Sequence, residues 1–91
     1  MTREPMLTLK GNPAEHQFIE FDSNYTMFVS YNTNIVKTTF ENGIRVVYLD
    51  AEYYDYSQTT IRYRNQFLGE TSKEIEKKIK DGIYLLTNLN N

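Results

Sequence analysis

The chain has 91 residues, no cysteine and a formal net charge of −2. That length gives one domain with a thin core, and the missing thiols exclude a disulfide framework, a cysteine nucleophile and a Cys-based zinc site. No apolar run nears the roughly 20 residues of a membrane span and the N-terminus lacks a signal-peptide core, so a cytoplasmic protein without a membrane partner is expected. The small net charge hides an asymmetry: residues 1–60 sum to −4 and residues 61–91 to +2.

In chain order, residues 1–14 mix Pro5, Gly11, Asn12 and Pro13 with scattered apolar residues, the pattern of a flexible arm with at most a short edge strand. His16 is the only histidine, and it reads as an exposed residue at a strand start. Phe18–Phe21 alternates and runs into the turn signal Asp22-Ser23-Asn24. Tyr25–Tyr31 is aromatic and β-branched, with a second turn expected at Asn32-Thr33-Asn34, and Ile35–Phe40 again favours a pleated strand. Asn42-Gly43 between two such runs predicts a type I′ hairpin, because both central residues need positive φ. In the returning strand Ile44–Leu49, Ile44, Val46 and Tyr48 share one face while Arg45, Val47 and Leu49 share the other. Apolar residues on both faces predict a central strand.

Asp50–Tyr56 (DAEYYDY) packs three acids and three tyrosines into seven residues. It reads as a strand end entering a loop, its rings covering the sheet while the hydroxyls stay wet. Ser57 then fits an N-cap and Gly69 a C-terminal stop for a helix over 58–68. TTIRYR also alternates as a strand would; the apolar face of Ile61, Tyr63, Phe67 and Leu68 favours the helix. Thr71-Ser72-Lys73-Glu74 is a capping box opening a second helix, which Gly82 closes. Glu74–Lys78 and Glu76–Lys80 have the spacing of stabilising i,i+4 pairs. Ile83–Leu86 adds a last strand or packs as a tail.

Little here points to catalysis. Nucleophilic catalysis is nearly excluded, since there is no cysteine and only His16 could serve as an imidazole base. Asp50-x-Glu52-x-x-Asp55 supplies oxygen ligands without the glycine and spacing of a calcium loop, and the four glycines all fall at turns and caps. No enzyme, metal or cofactor is therefore expected. Two binding surfaces stand out. The first is Asp50, Glu52, Tyr53, Tyr54, Asp55 and Tyr56, an acidic, tyrosine-rich surface suited to a basic protein partner. The alternative is a nucleic-acid surface of Arg62, Arg64, Lys73, Lys77 and Lys78, with Lys80 nearby, against which the pI of about 5.3 weighs. A third reading is an oligomerising module that pairs edge strands 18–21 or 83–86 between chains.

The string YYDYSQTTIRYRNQFLGETSKEIEKKIKDG resembles a small domain family of unknown function found in phage and prophage proteins. Its pattern is aromatic-Asp-Tyr-Ser, then Thr-Thr, then Tyr-Arg-Asn-x-Phe-Leu-Gly-Glu, then Lys-Glu-x-x-x-Lys-Ile-x-x-Gly. Tyr54 to Ser57, Thr59 and Thr60, Tyr63 to Asn65, Phe67 to Glu70, Lys73, Glu74, Lys78, Ile79 and Gly82 carry the match. The resemblance covers the C-terminal two-thirds, from about Phe28. It implies a phage accessory protein acting inside a bacterial host cell, where such proteins bind and disable host or defence proteins, CRISPR effectors included. The expected architecture is an α+β domain over 15–91, an antiparallel meander of three to five strands with two C-terminal helices on one face.

Overall fold

A computed structural model describes residues 1–91. It has six strands and two helices: β1 (Thr2–Leu7), β2 (Pro13–Phe21), β3 (Tyr25–Ser30), β4 (Thr33–Glu41), β5 (Ile44–Asp50), α1 (Gln58–Leu68), α2 (Ser72–Lys80) and β6 (Tyr84–Thr87). All six strands form one sheet in chain order, one strand beyond the expected range. The extra strand comes from the N-terminal segment read as an arm. There Thr2, Arg3, Glu4 and Pro5 pair with Phe21 back to Phe18, and Met6 is 3% exposed. Phe18–Phe21 is consequently interior, paired on both sides, and is no edge.

Strands β1 to β5 are antiparallel neighbours, and β6 returns parallel to β5. A parallel pair needs a long crossover, which α1 and α2 supply. The Asn42-Gly43 hairpin forms as expected, with φ of 55° and 79°. The β3–β4 turn sits one residue earlier than its Asn-Thr-Asn signal suggested, at Tyr31-Asn32, with φ of 50° and 63°. Tyr31 tolerates that conformation while stacked on His16, ring centroids 5.1 Å apart, and its N–H donates to the His16 carbonyl at 2.8 Å. His16 itself has φ of 62°, at the irregularity in the β1–β2 pairing rather than at a strand start.

Cross-strand register divides the sheet into two faces. One row runs Ile19, Phe28, Val36, Leu49 and Leu86; the next runs Arg3, Glu20, Met27, Lys37, Tyr48 and Leu85. The first row lies on the core face. Phe28, Val36, Val47, Leu49 and Tyr84 join Tyr63 of α1 and Ile75 of α2 in one buried cluster, so both helices feed the same core. A bulge at Ile35 lets consecutive Ile35 and Val36 both be fully buried. The second row lies on the open face: Arg3 pairs with Glu20, Lys37 lies over the Tyr25 ring, and the Tyr48 hydroxyl donates to Glu41 at 2.7 Å. Strand β5 is central in pairing, yet its faces differ: Val47 and Leu49 are buried, Val46 and Tyr48 are half-buried, and Ile44 is 68% exposed.

Both helices end where the sequence placed their caps. Ser57 Oγ accepts from Thr60 N at 3.1 Å, and Gly69 turns left-handed at φ 68°. Thr71 and Glu74 complete the capping box. The expected i,i+4 pairs do not form. Lys78 turns back to Glu70, which also accepts from the Tyr84 hydroxyl, and Lys77 pairs with Asp81 at 2.8 Å. Glu70 draws Lys78 because its carboxylate sits mostly covered between α2 and β6, where an unpaired charge is costly.

A tyrosine and carboxylate ledge at the candidate functional site

The connection between β5 and α1 is built on two buried charged groups. Asp50 ends β5 at 2% exposure. One carboxylate oxygen accepts from the N–H groups of Glu52 (3.2 Å) and Tyr53 (2.9 Å). The other accepts from Leu89 N–H (2.8 Å) and Asn90 Nδ2 (3.1 Å). A short polar side chain bonded to N–H groups two and three residues on drives a tight turn. The strand therefore stops at Asp50, and the tail after β6 is tied to the same carboxylate.

Arg64, 1% exposed, is the second buried charge. Its guanidinium donates to the Tyr54 carbonyl (3.0 Å), to Asn65 Oδ1 (2.9 and 3.1 Å) and to Ser72 Oγ (3.2 Å), with the Tyr54 ring 5.8 Å away. It thus joins the β5–α1 connection, α1 and the first turn of α2. Burial lowers the Arg64 pKa from its ordinary value, and the nearby Glu76, Tyr54 and Asp55 oppose that shift.

On this frame Tyr53 and Tyr54 are half-buried, while Glu52, Asp55 and Tyr56 are exposed. The Tyr53 and Tyr56 rings meet edge to face at 5.6 Å. The Tyr53 hydroxyl is held above the usual tyrosine pKa chiefly by the Glu52 carboxylate. For Tyr54 burial is the main cause of the same upward shift, followed by the charges of Glu76 and Asp55. The chain's three ion pairs are Arg3–Glu20, Lys77–Asp81 and Lys78–Glu70. None involves Glu52, Asp55 or Glu76.

The six residues predicted as one surface thus have two roles. Asp50 is internal, because four donors converge on it, and it positions the others. Glu52, Tyr53, Asp55 and Tyr56 form the accessible ledge, with Tyr54 as its inner wall. Glu76 of α2 joins them, a member that sequence spacing could not reveal because it comes from another element. The predicted basic set is dispersed likewise: Arg64 is internal, Lys77 and Lys78 have carboxylate partners, and Arg62 and Lys73 remain exposed. No three histidine, aspartate or glutamate side chains converge to hold a metal ion, and no helix is long and apolar enough to cross a membrane.

The model of a family of unknown function, DUF8033, matches residues 1–82. The chain belongs to this family. The match begins at residue 1, so the DUF8033 region takes in β1 and β2 as well as the C-terminal string, and it ends before β6. No curated protein and no solved structure matches the chain.

Proposed function

We propose that this DUF8033 protein is a non-enzymatic binding module whose ledge of Glu52, Tyr53, Tyr54, Asp55 and Tyr56 docks on a basic protein surface. The observation that carries this reading is negative charge outside every ion pair, set beside ordered aromatic rings. Glu52, Asp55 and Glu76 enter no ion pair, although the chain has ten lysines and arginines. Asp55 and Glu76 oppose the desolvation of Arg64 at a distance, while Glu52 has no such task. Tyrosine supplies large contact area at low entropic cost, and a complementary field speeds docking and rejects acidic partners. Four hydrogen bonds to Asp50 and four from Arg64 hold the ledge before any partner arrives, which lowers the ordering cost of binding.

In its sharpest form, the protein is a phage or prophage accessory factor that inhibits a bacterial host or defence protein in the host cytoplasm, as an anti-CRISPR does. The likeness of the 53–82 string to phage domains supports that form. The nucleic-acid alternative has less support, since Arg64 is unavailable and two of its lysines are paired.

The test compares tagged wild type with the Glu52→Gln/Asp55→Asn/Tyr56→Ala variant in nuclease-treated bacterial lysate, scoring what each captures. All three residues are exposed, so the variant keeps the fold. A captured basic protein that the variant loses at least tenfold supports the ledge. Equal capture by both proteins overturns it, and so does recovery of nucleic acid alone from untreated lysate.

A further inference from the structure

A cleft of about 380 Å³ lies on the opposite flank of α1 from the Arg64 clamp, lined by Thr8, Leu9, Lys10, Arg62, Tyr63 and Gln66. The β1–β2 loop forms one wall and α1 the other. The loop is ordered by its own hydrogen bonds: Thr8 N–H donates to Asn12 O at 2.7 Å, Gly11 N–H to Thr8 O at 2.9 Å, and Asn12 N–H to Thr8 Oγ1 at 3.2 Å. Gln66 Nε2 joins the two walls by donating to the Leu7 carbonyl at 3.1 Å. This volume falls in the range of small-molecule sites, about 300–1,000 Å³.

The chemistry of the lining is specific in sign. Lys10 and Arg62 take part in none of the three ion pairs, so two cations line the cleft with no internal anion assigned to them. Tyr63 is nine-tenths buried and lines the same cleft. Its hydroxyl bonds to no other group of the chain and stays accessible, so a ligand oxygen can take it as a donor. Leu9, 98% exposed, adds an apolar wall opposite the tyrosine-bearing helix.

We propose that this cleft binds a small organic phosphate of mononucleotide size. A dianionic phosphate uses both cations, Arg62 by its planar fork and Lys10 as a point charge, whereas a single carboxylate is satisfied by the arginine alone. The Tyr63 hydroxyl donates to a remaining phosphate oxygen. Leu9 and the tyrosine ring cover the flat apolar body of the ligand. The site is independent of the ledge: it shares none of its residues and carries the opposite charge.

The test is an amide-resolved NMR titration of the full chain with three probes: adenosine 5′-monophosphate, inorganic phosphate and adenosine. The monophosphate is expected to shift the amides of Thr8–Gly11 and Arg62–Gln66 saturably, at about millimolar concentration or below. Inorganic phosphate shifts the same amides more weakly, and adenosine does not saturate. The Lys10→Gln/Arg62→Gln variant, both positions being exposed, keeps the wild-type spectrum but binds at least about tenfold more weakly, and Tyr63→Phe loses several-fold. Equal binding by the Lys10→Gln/Arg62→Gln variant overturns the proposal. Absence of saturable shifts does the same, as do shifts spread equally over Lys73 and Lys80.

Discussion

Asp50 and Gln17 are buried to the same depth and treated in opposite ways. Asp50, 2% exposed, has four donors on its carboxylate. Gln17, 0% exposed, has neither its amide oxygen nor its nitrogen bonded within the chain. Asp50 sits where β5 ends and free backbone N–H groups converge, whereas Gln17 sits mid-strand, its own backbone committed to the ladder opposite Ser30. The hydroxyl of its cross-strand partner Ser30 is taken by Thr60 of α1 at 2.9 Å. The contrast teaches that a buried polar group stabilises a fold when it meets backbone donors that secondary structure has left over. In mid-sheet none are left over, and the group is a cost.

The contrast is sharpest at Asp50. Asp50→Ala strands four donors, releases the tail at Leu89 and loosens the turn beneath the ledge. Loss of about 3–5 kcal/mol in urea unfolding is expected, near the whole stability of a domain this size. A loss under 1 kcal/mol would mean that the donors find water, and the anchoring role would fail.

Gln17→Met probes the other side. It keeps similar volume, removes two unbonded polar groups, and is expected to raise stability by about 1 kcal/mol. A clear loss instead would show that the amide has a partner in solution, and the two sites would then be alike.

Glu74 gives the smallest effect, at a satisfied carboxylate on the surface. Hydrogen bonds from the Thr71 backbone N–H and from its side chain hold the Glu74 pKa below its ordinary value. A carboxylate with a depressed folded pKa contributes stability above its unfolded pKa, and loses it as pH falls through the folded one. The stability gap between wild type and Glu74→Gln is therefore expected to be small at neutral pH and to vanish in acid below the usual glutamate range. Paired urea titrations at pH 7 and in strong acid measure it. A gap that grows on acidification contradicts the sign.

Local chemistry made much of the fold legible. Ser57, Gly69 and the Thr71–Glu74 box mark helix ends by bonds that close within four residues, and Asn42-Gly43 marks a hairpin by the φ values its own backbone needs. The candidate site was only half legible. Tyrosines and acids at 50–56 announced a surface, but nothing local distinguished Asp50, which four donors from distant and nearby segments enclose, from Glu52 or Asp55, which remain in water. The same holds for Arg62 and Arg64, two residues apart on one helix, one lining an open cleft and the other 1% exposed.

The sequence by itself determined where the two helices start and stop, the Asn42-Gly43 hairpin, which residues of β5 share a face, and the charge of each stretch, because those depend on neighbours within one or two turns. Tertiary structure alone decided that residues 2–7 complete the sheet, that Ile35 bulges inward beside Val36, that Lys78 leaves Glu74 for Glu70, and that β6 runs parallel to β5. Each of these turns on a partner many residues away. Pairing register and desolvation are properties of two segments brought together, and neither is written in one segment alone.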